Sequence, residues 1–346
     1  MMTVRMARPG DAGALLALAR TTGVGMTSFM PDAALIEARI ARSVATLAGS
    51  LPPAQQGYLF VLEDTCNGCV AGVSGIEAAV GLDAPWYNYR IGRFIHASKE
   101  TGVSSDASAL FLSNDHTGHS ELCTLFLAPD YRRDGNGALL SKARFMFIAA
   151  FRERFARSLV AEMRGVTDAA GRSPFWDAVC RPFFQMEFPA ADRWVGLGRK
   201  SIIAELMPKH PLYLALLPAE ARAVIGAVHP HTAPARALLE SEGLRFSQYV
   251  DIFDGGATLQ GEIDRLRIVA DSTHRPLDAA LSVRHGPQLL ANDALHGFRV
   301  VIGSADGDPA RLGDALQCER HAPVRCAALR ATPSNGAGRA PARRAA

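Results

Sequence analysis

Residues 121–145, ELCTLFLAPDYRRDGNGALLSKARF, constrain the fold more than any other stretch. ELCTLFL is apolar at successive as well as alternate positions, which suits a central strand buried on both faces. Pro129-Asp130 stops that strand. After Gly135 and Gly137, residues 137–155 carry Leu139, Leu140, Ala143, Phe147, Ala150 and Phe151 at helical spacing on one side. A strand that turns at once into a helix leaves free N–H groups at the helix start, and the helix dipole favours an anion there. The two glycines let the backbone approach a phosphate without side-chain collision.

The rest of the chain alternates strand and helix signals. Residues 4–7 open a strand. Pro9-Gly10 breaks it, and Asp11 is placed to cap a helix carrying Leu15, Leu16 and Leu18. A second helix spans 32–47 and ends before Pro52-Pro53. GYLFVLED (57–64) and CVAGVSGIEAAV (69–80) read as an antiparallel pair around Asn67-Gly68, a strong hairpin turn. Residues 81–118 look irregular, polar and too long for a passive connection, which points to function. Further strands are expected at 159–165 and 248–254. Ser173-Pro174 opens a helix, and Gly243 closes another over TAPARALLESEG. This order predicts an α/β (α+β) layered fold.

Composition narrows the function. Across 346 residues the net charge is +3, with no basic block interleaved with aromatics, so nucleic acid is not an expected partner. No apolar run has membrane-spanning length, and the N-terminus lacks signal-peptide layout, so a cytoplasmic protein is expected. Cys66 and Cys69 form a C-x-x-C, but no second ligand pair stands at zinc spacing, so a turn is expected there and no metal is implied.

Arg132, Gly135 and Gly137 follow the order R-x-x-G-x-G after an apolar strand and Pro-Asp-Tyr. This resembles the acyl-CoA loop of the GCN5-related N-acyltransferases. Longer stretches are similar to the arginine N-succinyltransferase family in particular. They include PWYNYRIG (85–92), SNDHTGHSELCTLFL (113–127), VAEMRG (160–165), SPFWDAV (173–179), SIIAELMPKHPLY (201–213), VIGAVHP (224–230) and YVDIFDGG (249–256). The resemblance implies a GCN5-related N-acyltransferase-like mixed sheet flanked by helices. It also implies succinyl-CoA as co-substrate, L-arginine as acceptor, and a step in arginine catabolism with no tightly bound cofactor. Assembly as a homo-oligomer, or as a hetero-oligomer with a sister subunit, is part of the same expectation.

By that resemblance the proton-transfer histidine maps onto His229. Leu125 and Leu127 would lie along pantetheine and thioester, and Arg132, Arg133, Gly135, Asn136 and Gly137 would hold the pyrophosphate. On chemistry alone His231, His116 and His119 are comparable bases. The acceptor's guanidinium calls for a carboxylate from Glu121, Asp254, Asp115 or Asp251. The succinyl carboxylate calls for a cation, with Arg90 first, then Lys142 and Arg144. Cys123 is expected to serve packing rather than covalent chemistry. The catalytic region is expected over 1–256, a small β-rich region over 257–328 and a disordered tail over 329–346. The rivals are an acceptor change to ornithine, a non-catalytic CoA-binding partner subunit, and a ligand sensor on the same fold.

Overall fold

The computed structural model describes residues 1–22, 26–196, 206–281 and 286–330. Period-two patterns and turn residues give fourteen strands among them. These are β1 (Met2–Met6), β2 (Gly57–Asp64), β3 (Cys69–Glu77), β4 (Asn88–Ala97), β5 (Ser104–Ser113), β6 (Ser120–Leu127), β7 (Ser158–Glu162), β8 (Leu212–Tyr213), β9 (Arg245–Asp251), β10 (Ala257–Glu262), β11 (Thr273–Pro276), β12 (Gln288–Ala291), β13 (Arg299–Gly303) and β14 (Pro323–Ala328). They form one sheet in the order β11-β14-β12-β13-β1-β2-β3-β6-β7-β10-β9-β4-β5-β8. The expected mixed sheet flanked by helices is thus observed. β10, just beyond residue 256, pairs with both β7 and β9. β13 pairs with β1, so the C-terminal strands continue the same sheet.

Among the described residues the pair β6–β7 is parallel and the other strand pairs are antiparallel. A parallel pair needs a crossover, and helix α3 (Asn136–Ala150) supplies it. The sequence predicts one apolar side for α3. In the structure every residue from Leu139 to Ile148 is buried, including Ser141, Lys142 and Arg144. The sheet covers one side of α3, and the later helices and the chain near Leu329 cover the other. On the opposite face of the sheet, α1 (Ala12–Ala19) and α2 (Ala33–Leu47) pack over β2 and β3. Asp32 caps α2 by accepting the Leu35 amide at 3.0 Å. A second core joins β4 and β9 to α4 (Pro174–Val179), with Trp176 at its centre. Ser173 caps α4 as its Ser-Pro entry suggests.

Three expectations are corrected. Asp11 does not cap α1. Its carboxylate takes Arg5 through Nη1 at 2.7 Å and Nη2 at 2.9 Å, and also accepts the Arg8 amide. Burial alone would raise the Asp11 carboxyl, but the Arg5 guanidinium and the Arg8 amide outweigh it and hold the group below the usual range. Residues 81–118 are not irregular throughout. They contain the ten-residue strands β4 and β5, paired from Asn88↔Ser113 to Ala97↔Ser104. The far end of that hairpin is exposed on both faces, so its apolar and polar residues do not alternate. Finally, β9 stops at Asp251, and Ile252 to Asp254 form a turn.

Two expectations touch undescribed residues: 201–205 of the stretch 201–213, and 331–346 of the tail. Leu329 is buried, and its carbonyl accepts Lys142 Nζ at 2.9 Å. No helix among the described residues is long and apolar enough to cross a membrane.

The α3 core holds a charge cluster that tests this packing. Glu242 is fully buried between Lys142 Nζ at 2.8 Å and Arg267 Nη2 at 2.6 Å. Its other oxygen accepts the Ile268 amide at 3.2 Å. Removing the anion leaves two cations facing each other in the core. Glu242→Ala is therefore expected to destabilise the fold by about 3–5 kcal/mol. The check is a lower urea midpoint at unchanged denaturant slope.

Candidate active site

β6 and β7 pair only at Ser120↔Leu159 and Glu121↔Val160, and then they part. β7 stays with β10 through Glu162, and β6 stays with β3 through Leu127. The V between them opens toward the start of α3. On β6 the register with β3 breaks opposite Ser74, where Thr124 takes φ of 53°. This is a bulge, which re-aims backbone groups and bends the strand away from its neighbour. The backbone of β6 past Glu121 therefore has no strand partner on the β7 side.

A cavity of about 1800 Å³ fills this V and continues over the loop. Glu121, Leu125 and Leu127 of β6 form one wall, as the sequence suggests. Arg132, Arg133, Gly135 and Gly137 also line it. Asn136 is buried instead, and its Nδ2 donates to Tyr131 O at 3.0 Å, which holds the loop in shape. Arg132 Nε donates to Leu127 O at 3.0 Å, tying the loop to the strand end. Gly135 is the residue before α3 with φ of 79°, a left-handed conformation that a side chain disfavours. The Asn136 amide donates to Arg133 O at 3.0 Å, which closes the turn, and Gly135 and Gly137 on either side line the cavity.

The other wall comes from the end of β7 and the chain around it. Glu162, Met163 and Arg164 line it, with Asp251, Phe253 and Asp254 of the turn after β9, and with His231 and Thr232 ahead of α5 (Ala233–Glu242).

The family model described as arginine N-succinyltransferase beta subunit matches residues 2–268. The chain belongs to the arginine N-succinyltransferase family. The arginine N-succinyltransferase of Yersinia pestis (strain Pestoides F) is 56% identical over 310 residues, covering 87% of this chain and 89% of that protein. That of Citrobacter koseri is 52% identical over 339 residues, covering 95% and 98%. The solved structure of arginine/ornithine succinyltransferase subunit AI from Pseudomonas aeruginosa superposes with a TM-score of 0.86 at 32% identity, over 96% of this chain and 99% of that one.

The stretches that carry the resemblance to this succinyltransferase family converge behind the second wall. Asn88 Nδ2, from PWYNYRIG, donates to Glu162 Oε1 of VAEMRG at 2.7 Å. Asn88 Oδ1 takes His116 Nδ1 of the SNDHTGH segment at 2.7 Å, which puts the proton on that nitrogen. Burial, with His119 nearby, lowers His116 to about 4, so it stays neutral and acts as a fixed donor. His116 is not among the residues that line the cavity. His119 is likewise pushed down by burial.

His229 stands at the entry of the turn before α5. Its amide donates to Arg164 O at 2.9 Å, and its Nδ1 accepts the His231 amide at 3.2 Å. It is half-buried, and among the described residues the wall carries His231 rather than His229 itself. Burial, then the neighbouring Arg164 and His231, holds the His229 ring below the ordinary imidazole value.

The remaining expected groups separate clearly. Glu121 lies on the wall where the strands part. Asp254 is on the wall, but its two oxygens accept the Gly165 and Gly256 amides at 2.6 and 2.8 Å. Burial, with Asp251 beside it, raises its carboxyl well above the usual range. Arg90 is not brought to the cleft. It sits half-exposed on β4, 3.9 Å from Asp115 and over the Phe111 ring. Lys142 is engaged with Glu242 and Leu329. Burial, with Glu77 nearby, pushes the Cys123 thiol up to about 11, so it is protonated and a poor nucleophile. Sequence reasoning missed Glu162 and Arg164 as wall residues. The available signal was their spacing of two at the end of a strand, which puts both side chains on one face.

Asp254, Gly165 and Gly256 clamp the two segments that form this wall. A Cβ on Gly256 would stand 2.0 Å from Met163 O and 2.6 Å from Gly165 N. Both are backbone atoms with no freedom to move aside. Gly256→Ala is expected to destabilise the protein by at least about 1–3 kcal/mol, as overpacking does. It should also lower activity by more than the unfolded fraction accounts for, measured as turnover per folded molecule.

Proposed function

We propose that this protein transfers the succinyl group of succinyl-CoA to the α-amine of L-arginine, giving N2-succinylarginine and CoA, in the cytoplasm. The observation that carries the reading is the parting of β6 and β7 directly beside the glycine loop at the start of α3. Family membership supports the donor and acceptor. The pyrophosphate meets the loop amides at Gly135 to Gly137, Arg132 and Arg133, and pantetheine runs along the unpaired edge of β6 at Leu125 and Leu127. An amide of the bulged segment is the donor for the thioester oxygen as it gains charge.

The acceptor enters against the second wall, where Glu121 and Glu162 make an acidic end for the guanidinium, and Asp254, held by the Gly165 and Gly256 amides, shapes that wall. His229 accepts the ammonium proton, directly or through one water, and attack on the thioester releases CoA without a covalent enzyme intermediate. A ring held below the ordinary imidazole value is already neutral at pH 7 and ready to accept. A second acceptor, ornithine, is supported by the name of the Pseudomonas aeruginosa structure. That structure and the matching family model are both described as subunits, which supports assembly with a further chain.

Thiol release from succinyl-CoA, compared with arginine, ornithine, lysine and no acceptor, tests the function. Release with arginine supports it, and equal release with ornithine widens the acceptor range. No release despite CoA binding favours a subunit that needs its partner. His229→Ala is expected to lower kcat by about 10²–10⁴-fold with CoA binding intact. His231→Ala should leave most of it, and the opposite result would move the base to His231. In the wild type the acid limb of kcat should fall below the usual histidine range, because activity is lost only as the depressed ring becomes protonated. Gly135→Val forces a branched side chain into a left-handed turn and should weaken CoA binding about tenfold, read by calorimetry.

A further inference from the structure

A buried cation reaches β6 just past the point where it leaves β7. Arg144 lies on the third turn of α3 and is 1% exposed. Its Nη1 donates to Cys123 O at 3.3 Å, two residues beyond the last β6–β7 pair at Glu121. Nε and Nη2 donate to the carbonyl and hydroxyl of Ser141, each at 3.1 Å. Among the described residues no carboxylate lies within ion-pair distance of it. The contrast with Lys142 is sharp, since that residue has Glu242 at 2.8 Å. Arg39 and Arg42 on α2 share Glu77. Burial lowers the Arg144 guanidinium to about 10, so it remains a cation at neutral pH. The Cys123 thiol, the titratable group that acts on it, is neutral. A buried charge without a counter-charge is costly, and dipolar acceptors offset only part of that. Arg144 also lines the cavity, so an anion entering the V can reach it.

We propose that Arg144 receives the terminal carboxylate of the acyl group and selects a dicarboxylic acyl thioester over a plain one. This rests on the reading of the cleft as an acyl-CoA site. With the thioester at Leu125, the acyl chain points along β6 toward Cys123. Two strand residues span roughly 6–7 Å, the reach of a four-carbon diacid. The guanidinium stands where such a chain ends. Its planar fork suits a carboxylate, which also supplies a counter-charge that the described residues do not.

The test compares succinyl-CoA, butyryl-CoA and CoA in equilibrium binding to the wild type, Arg144→Gln and Arg144→Lys. Butyryl-CoA has the same chain length and ends in a methyl group. The wild type should prefer succinyl-CoA over butyryl-CoA about tenfold or more. Arg144→Gln should lose that preference yet still bind CoA. Arg144→Lys should keep part of it, because a point charge remains. Preference retained in an Arg144→Gln protein that still binds CoA overturns the proposal, as does equal binding of both acyl-CoAs by the wild type. Binding of neither by the wild type overturns the reading of the cleft itself. A crystal structure of the wild type with succinyl-CoA needs no variant. The carboxylate about 3 Å from Arg144 supports the assignment, and its seat on another cation overturns it.

Discussion

The structure turns on one broken ladder. β6 and β7 hold together over two residue pairs and then separate, although each keeps its outer neighbour. Ladder groups left unpaired in a sheet interior need another partner. The bulge at Thr124 makes the break, and the glycine loop before α3 stands at the open end. An extended ligand with amide groups along its length can replace the missing strand edge. The cavity, the loop and the polar cluster behind β7 all depend on this parting.

The buried charges divide by whether the fold itself answers them. Lys142, Arg267 and Glu242 meet among themselves, and the carbonyl of Leu329 completes the set. Arg5 and Asp11 do the same beneath β1. Such groups are internally satisfied and belong to stability. Arg144 is different. It is drawn to the oxygens of Cys123 and Ser141, and it reaches the cavity. Positive charge beside the open strand edge and the carboxylates of Glu121 and Glu162 give the cleft two ends of opposite character. That polarity suits a ligand pair with an anionic donor and a cationic acceptor.

Much of the local structure was legible in the residues. The hairpin at Asn67-Gly68, the caps at Asp32 and Ser173, the closing Gly243 and the strand-loop-helix around Gly135 all follow from neighbours within a few positions. The hairpin of β4 and β5 was missed because its far end is exposed on both faces and so shows no period-two alternation. Asp11 was misassigned because its partner, Arg5, lies on a strand rather than on the helix that follows. In the candidate site, the loop and Leu125 were readable as one continuous segment. Arg90 was not, because a cation inside a motif carries no sign of which face of the sheet it will meet.

By itself the sequence determined the phosphate-compatible loop and the family, since each is encoded in contiguous residues or in agreement along the chain. Only the tertiary structure decided that Asn88, His116 and Glu162 form one relay, and that Glu242 claims Lys142. It alone set Arg144 against the Cys123 carbonyl, with no carboxylate within ion-pair distance among the described residues. The physical reason is that charge pairing and burial are set by distances across the sheet. Those depend on strand order, and strand order is a property of the whole chain rather than of any segment of it.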